Sequence, residues 1–278
     1  MPLKEIIVCA DDFALDERVN AGILRLVELE RLSAVSCFTD APSWRDAGAE
    51  FRGAARCVHV GLHFNLTQPF GHGEHSLAHW ITRCLSGTVD VSAVRAHLQR
   101  QWENFVAVVG RQPDFIDGHQ HVHAFPIVRS LVYDFVARVW HNDAVPVRAI
   151  SPTFGRTDAP LKRAVIQALA KARPQRADDR AIFLNTGFAG DYSLRAHADY
   201  ERLFAGWLAR APDRGLIMCH AALRPARGAA TARQREYRFL ASARFTELLG
   251  AHGRKLAHPP DRFGPGERLT TTGARVPE

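Results

Sequence analysis

Three histidines at alternate positions, with an aspartate just ahead of them, crowd into one short stretch of the sequence, DGHQHVHAFP (residues 117–126). The side chains in this stretch that could take part in chemistry are those of Asp117, His119, His121 and His123. Imidazole and carboxylate groups are donors for Zn²⁺, Fe²⁺, Co²⁺ or Ni²⁺, and for Mg²⁺ when more water is present. The stretch therefore indicates one part of a metal site, and the remaining ligands must come from elsewhere in the chain.

Polar residues also follow other short apolar runs. Asp11 and Asp12 follow EIIVCA (5–10), His63 and Asn65 lie in HVGLHFNL (59–66), and His220 lies near the end of GLIMCHA (215–221). The carboxyl ends of the strands in a parallel α/β barrel form one rim, where active sites are built. We therefore expect these side chains to converge in space.

Three of these residues form a set that is typical of an open catalytic metal site. Asp12, His63 and His119 supply two imidazoles and one carboxylate, which leaves a position for water or substrate. A structural zinc site is disfavoured, since it needs four Cys or His ligands and no cysteine lies near the histidines.

The neighbouring polar residues are predicted to support that set. Asp11 is free to act as a general base, although Asp11 or Asp12 could instead cap the helix that begins near Asp16. Asp117 is predicted to orient a ligand histidine. We expect the other polar residues of these stretches to lie in the second shell or to face the substrate, with His123 as a substitute ligand, namely His121, His123 and Asn65.

The elements that position these residues alternate as βα units, which predicts a mainly parallel sheet. Strands are predicted at 5–10, 34–40, 59–66, 115–119, 147–151, 181–187 and 215–221. Helices are predicted at 16–32, 91–109, 127–140, 161–172, 195–210 and 231–252. We expect a single-domain irregular (β/α) barrel of about seven parallel strands over residues 1–258, with an inserted loop at 68–80 and a mobile tail at 259–278.

Composition narrows the possible partners and the location. The chain has 278 residues, 46% hydrophobic and 23% charged, with a net charge of +7. The basic residues form no stripe, so nucleic acid is not an expected partner. No apolar run of about 18–20 residues is present, which excludes a membrane-spanning helix, and no signal-peptide pattern begins the sequence. We therefore expect a cytoplasmic protein.

Three motifs taken together resemble the YdjC/ChbG-like carbohydrate deacetylases, a family related to the HpnK proteins of hopanoid biosynthesis. The motifs are CADDFALDERVNAGI (9–23), VGLHFNLT (60–67) and DGHQHVHAFP, and they occur in the family's order. The resemblance covers roughly residues 4–260. It implies a barrel related to the NodB-type polysaccharide deacetylases, a homodimer, and removal of N-acetyl groups from amino sugars such as chitooligosaccharides.

The resemblance also implies roles for individual residues. Asp12, His63 and His119 would bind one divalent metal ion, with Mg²⁺ favoured and Zn²⁺ or another transition metal as alternatives. Asp11 would be the base that activates the attacking water, and His220 the acid that protonates the departing amine. Apart from the resemblance, the aromatic residues of the loop 68–80 and of TGFAGDY (186–192) are candidates for a sugar-binding wall, with ordinary loop residues as the alternative interpretation.

The chain departs from the family pattern at two places. Ala14 replaces the usual glycine after ADDF, and CHAAL (219–223) replaces the usual His-Pro-Gly ending. The second change puts the placement of His220 in question. That change leaves open a sugar-binding descendant that has lost activity. The metal-site residues themselves leave two further alternatives, a metal-dependent hydrolase of another bond, such as a phosphoester, and a non-haem iron oxygenase.

Overall fold

The computed structural model describes residues 3–54, 56–139, 146–171, 184–195, 198–223 and 229–258. The predicted tail, 259–278, lies outside the described residues, as does part of the strand predicted at 181–187.

In the described part of the chain, seven parallel strands form one curled sheet. They are β1 (Lys4–Phe13), β2 (Ala34–Cys37), β3 (His59–Phe64), β4 (Phe115–Gly118), β5 (Phe188–Ala189), β6 (Gly215–Cys219) and β7 (Arg254–Leu256). Their order is β4-β3-β2-β1-β6-β5, and β7 pairs with the start of β1. From Ile6 to Phe13 every residue of β1 is buried, as expected for a strand covered on both faces. The predicted α/β class with a mainly parallel sheet is confirmed.

An irregular stretch, residues 146–153, lies between the two outer strands of the sheet. Val147 bridges to Ile116 of β4, and Thr153 bridges to Phe188 of β5. The regular strand predicted at 147–151 is wrong, because Pro146 and Pro152 flank it and proline has no N–H to donate to a ladder. The stretch nevertheless spans the gap in the barrel.

Nine helices are present in the described part of the chain and pack around the sheet. They are α1 (Glu17–Glu28), α2 (Trp44–Ala54), α3 (Leu77–Ser86), α4 (Val91–Val109), α5 (Val128–Val139), α6 (Pro160–Lys171), α7 (Tyr200–Leu208), α8 (Ala229–Ala241) and α9 (Ala243–Ala251). None of these helices is long and apolar enough to cross a lipid bilayer. Asp16 caps α1 by accepting hydrogen bonds from the N–H groups of Arg18 and Val19, so neither Asp11 nor Asp12 is needed as a cap.

Several elements differ from the prediction. Helix α2 and strand β7 were not predicted, and α3 begins inside the loop expected at 68–80. The helix predicted at 231–252 is divided into α8 and α9 at Ser242, whose backbone is extended. The core itself combines the strands with the apolar faces of the helices, and it holds the site at the carboxyl ends of the strands.

Candidate metal centre and active site

Asp12, His63 and His119 come together at the carboxyl ends of three strands. Asp12 lies near the end of β1, His63 in β3, and His119 directly after β4. The Oδ1 atom of Asp12 lies 3.3 Å from Nε2 of His63 and 3.2 Å from Nδ1 of His119. The three candidate ligand atoms lie within 4.8 Å of one another, as one ion would require. The three residues that the sequence analysis selected therefore converge.

The burial, pairing and protonation of the Asp12 carboxylate suit a ligand of a bound cation. Its Oδ1 atom is buried beside the ring nitrogens of His63 and His119, at 3.3 and 3.2 Å, and has no donor from any other described residue. Burial alone would raise the pKa of Asp12, but Arg233 and hydrogen bonds from the two histidines hold it well below its usual value. The carboxylate is thus ionised, with one oxygen paired to Arg233 at 2.5 Å and the other free for an ion.

Asp117 orients His63 by contacting Nδ1, the ring nitrogen that does not face Asp12. Nδ1 of His63 lies 2.7 Å from Oδ1 of Asp117, which also accepts a 2.5 Å hydrogen bond from the Ser36 hydroxyl. Burial lowers the pKa of His63, but the charge of Asp117 and the hydrogen bonds to Asp117 and Asp12 outweigh it and raise the pKa to about 10. This contact directs Nε2 toward Asp12, in the carboxylate–histidine arrangement common around metal ions.

Asp11 is held by a fully buried arginine that the sequence analysis did not select. Arg148 donates to both oxygens of Asp11, at 2.7 and 2.6 Å, and it also contacts Asp117. Burial raises the pKa of Asp11, and Arg148 opposes that rise. The candidate ligand atoms of Cys9, Asp11 and Asp117 also cluster, but the Arg148 guanidinium already contacts all three and supplies the cation there.

The histidine-rich stretch forms a tight turn rather than an extended strand. In the 3₁₀ segment His119–Ala124, Gln120 and His121 have φ angles of 51° and 63°. This left-handed backbone turns the three histidines in different directions. Such strain in non-glycine residues is found mostly at functional sites.

The other two histidines of the turn lie outside the cluster of Asp12, His63 and His119, which we call the Asp12 group. The ring of His121 packs edge-on against Phe188, and its Nδ1 atom has no partner in the described part of the chain. His123 contacts the carbonyl of Arg148 through Nε2 at 3.1 Å. Burial lowers the pKa of His123 to about 4 and that of His121 well below its usual value, so both rings are neutral.

Asn65 organises the loop after β3. Its side-chain oxygen accepts hydrogen bonds from the N–H groups of Thr67 and Gln68, and its amide donates to Asp40. All of its side-chain polar atoms are therefore engaged within the protein. The structure places Asn65 in the framework of the loop and leaves it no free group for a substrate.

His220 follows β6, and its main-chain N–H donates a 2.6 Å hydrogen bond to Glu236. Burial lowers the pKa of His220 to about 3, and the positive charges of Arg233 and Lys162 act in the same direction against the attraction of Asp12. The ring is therefore neutral near pH 7, whereas the role of acid that the resemblance implies requires it to carry a proton. Its Nδ1 atom has no partner among the described residues.

Aromatic side chains border the Asp12 group. The ring of Phe38 packs edge-on against His63 and His119, with ring centres 4.9 and 5.0 Å apart. Phe70, from the loop at 68–80, packs against Phe38. That loop therefore approaches the site, whereas Tyr192 in the second stretch predicted to bind sugar donates its hydroxyl to Glu236.

The fold and the site define a parallel α/β barrel with a two-histidine, one-carboxylate centre at the carboxyl ends of its strands. The family model of the YdjC-like proteins matches residues 5–251. The chain belongs to this family.

Named relatives agree with that assignment, and a solved structure shares the fold. A chitooligosaccharide deacetylase of Serratia marcescens is 30% identical over 234 residues, which cover 79% of this chain and 82% of the relative. A chitooligosaccharide deacetylase of Yersinia enterocolitica is 27% identical with the same coverage. A crystal structure from Enterococcus faecalis V583, described as a candidate cellobiose-phosphate cleavage protein, shares the fold with a TM-score of 0.64, at 20% identity over 92% of this chain and 97% of that one.

Proposed function

We propose that the protein is a divalent-metal-dependent hydrolase that removes N-acetyl groups from amino sugars of the chitooligosaccharide type. The observation that carries the proposal is the Asp12 group, with its free Oδ1 atom, beside a buried Asp11 that Arg148 holds in place. The names of the Serratia and Yersinia relatives support the substrate class.

Asp12, His63 and His119 would hold one divalent ion. Mg²⁺ is favoured by the family resemblance, and Zn²⁺ or another transition metal also suits two imidazoles and a carboxylate. When bound, the ion supplies Lewis-acid chemistry, since it polarises the amide carbonyl and acidifies water. The remaining steps belong to the protein's own side chains.

Asp11 accepts the proton of the attacking water. Its buried position raises its pKa, which makes the carboxylate a stronger base than an exposed aspartate. Each carboxylate oxygen has two lone pairs, so the bonds to Arg148 fix its direction without exhausting its capacity to accept. A positioned general base contributes about 10²–10⁴-fold in rate.

His220 assists the departing amine. Because its ring is neutral at pH 7, it must first take up a proton before it can act as an acid. The proton that Asp11 removes from water is passed to His220, which then donates it to the departing amine. The balance is then complete: water is divided between acetate and the free amino sugar.

Acetate release from a panel of N-acetylglucosamine mono- and oligosaccharides tests the proposal. The protein is stripped of metal and resupplied with Mg²⁺, Zn²⁺, Co²⁺ or Fe²⁺ in turn. We expect acetate with at least one metal, a loss of roughly 10²-fold or more in Asp11→Asn, and full activity in the control Asp46→Asn, which changes an exposed aspartate of α2. Sugar binding without acetate under every metal would contradict catalysis and indicate a lapsed descendant.

A further inference from the structure

The stretch CHAAL (219–223), which ends β6 and begins the loop after it, contains no proline to restrict its backbone locally, yet a buried carboxylate holds it. Glu236, in α8, is fully buried. Its Oε2 atom accepts the N–H of His220 at 2.6 Å, and its Oε1 atom accepts the hydroxyl of Tyr192, also at 2.6 Å. Both oxygens are thus engaged, one of them by the main chain of the candidate acid.

Two further N–H groups of the same loop are held by neighbouring helices. The N–H of Ala222 donates to the carbonyl of Arg233 at 3.2 Å, and that of Leu223 donates to the carbonyl of Arg18 at 3.0 Å. The loop also lies directly on α1, since a Cβ atom added to Gly22 would stand 2.9 Å from the nitrogen of Leu223. Hydrogen bonds to α8 and α1 therefore take the place of local backbone restriction.

Helix α8 reaches the site at two points one turn apart. The Arg233 side chain is paired with Oδ2 of Asp12, and Glu236 accepts a hydrogen bond from the main-chain N–H of His220. Residues three apart lie on the same face of a helix. One face of α8 thus links the candidate metal ligand to the candidate acid.

We propose that Glu236 is a positioning residue, which fixes the main chain at His220 so that the imidazole faces the substrate, in a stretch that contains no proline. The inference rests on the proposed function for the role of His220, although the anchoring itself does not. A displacement of about 1 Å at a reacting group can cost about 10²-fold in rate. Loss of the anchor therefore affects turnover more than binding.

Three variants separate anchoring from simple support of the fold. Glu236→Leu removes both acceptors, Glu236→Gln keeps a carbonyl oxygen for the N–H of His220, and Tyr192→Phe removes only the tyrosine bond. We expect Glu236→Leu to lower kcat by about 10–100-fold with KM nearly unchanged. Glu236→Gln should keep a kcat close to that of the unchanged protein, because the Tyr192 hydroxyl can turn to accept a hydrogen bond from the new amide.

Amide hydrogen exchange supplies a readout that needs neither metal nor substrate. In Glu236→Leu the peptide covering residues 215–223 should exchange faster, while a peptide from β1 stays protected, and Glu236→Gln should match the unchanged protein. If the unchanged protein releases no acetate, only the proposed function is contradicted. The hydrogen-exchange measurement would still test whether Glu236 anchors the loop. If Glu236→Leu does not fold, Glu236→Asp, whose shorter side chain cannot reach both partners, replaces it in both measurements.

Two outcomes would overturn the inference. The first is exchange at 215–223 that does not respond to Glu236→Leu, or to Glu236→Asp in its place. The second is a kcat in Glu236→Gln as low as in Glu236→Leu, because the anchor would then not be what turnover requires.

Discussion

At the residue scale, Asp117 connects the ligand histidine to the buried arginine. It accepts from His63 and Ser36, and it contacts Arg148. In Asp117→Asn one negative charge is lost, and the hydrogen bond that orients His63 is weakened because its acceptor is no longer charged. Both changes weaken metal binding. We expect metal affinity to fall by about 10–100-fold, measured by titration of the metal-free protein.

A matched control for that prediction is Asp114→Asn, which lies at the other end of β4 and pairs with Arg111. Its metal affinity should equal that of the unchanged protein. Equal affinities in the two variants would show that Asp117 does not support the site.

The pKa of His63 makes metal binding depend on pH. Burial lowers this pKa, but Asp117 and Asp12 raise it to about 10 in the metal-free protein, so the ring carries a proton at neutral pH. Coordination through Nε2 requires that proton to leave. We therefore expect affinity to increase as pH rises from about 7 toward 9, with proton release on binding, measured by calorimetry in buffers of different ionisation enthalpy. A flat affinity over this range would exclude His63 as a ligand.

Residue chemistry explains which parts of the site could be predicted. Asp12, His63 and His119 were predicted because metal-binding residue types follow apolar strands, and the structure brings them together. Arg148 carried a signal, a charge inside the apolar run VRAIS (147–151), that was not used. Arg233 and Glu236 could not be selected, since charged residues on a helix are normally solvated and only the tertiary fold buries them.

At the element scale, the turn after β1 explains why the family uses glycine there. Ala14 has a φ of 74°, in the left-handed region, which costs a non-glycine residue about 1–2 kcal/mol. Ala14→Gly relieves that strain and removes one buried methyl group, worth about 0.8 kcal/mol. We expect the free energy of unfolding to rise by about 0.2–1.2 kcal/mol in urea titration.

The control for that turn is Ala47→Gly, which also removes a buried methyl group but lies within helix α2. Glycine in a helix adds about 1 kcal/mol of cost to the lost methyl group. Its unfolding free energy should fall by about 1–2 kcal/mol. A similar fall in Ala14→Gly would show that the turn carries no strain.

The elements that were predicted correctly are those whose sequences show a strong apolar periodicity or a continuous apolar run. The span of α4 and the core of β1 were predicted from their apolar patterns. Strand β7 has only three residues, two of them charged, and could not be distinguished from a loop. The stretch 146–153 pairs with two different strands, which only the assembled sheet can specify.

At the scale of the whole molecule, the site depends on distant parts of the chain meeting at one rim. Arg233 lies 221 positions after Asp12, yet the two are paired. Three buried carboxylates, Asp11, Asp12 and Asp117, face two guanidiniums, Arg148 and Arg233, so one negative charge is left over for a cation once His63 has released its proton. One domain over residues 1–258, a homodimer and a cytoplasmic location stay predictions.

The most direct measurement is hydrolysis of an N-acetylglucosamine oligosaccharide in water enriched in ¹⁸O, with the metal-loaded protein and mass spectrometry of both products. We expect acetate that carries one ¹⁸O atom, together with an equal amount of free amino sugar that carries none. Unlabelled acetate, or no acetate alongside an intact substrate, would contradict attack by water on the N-acetyl group.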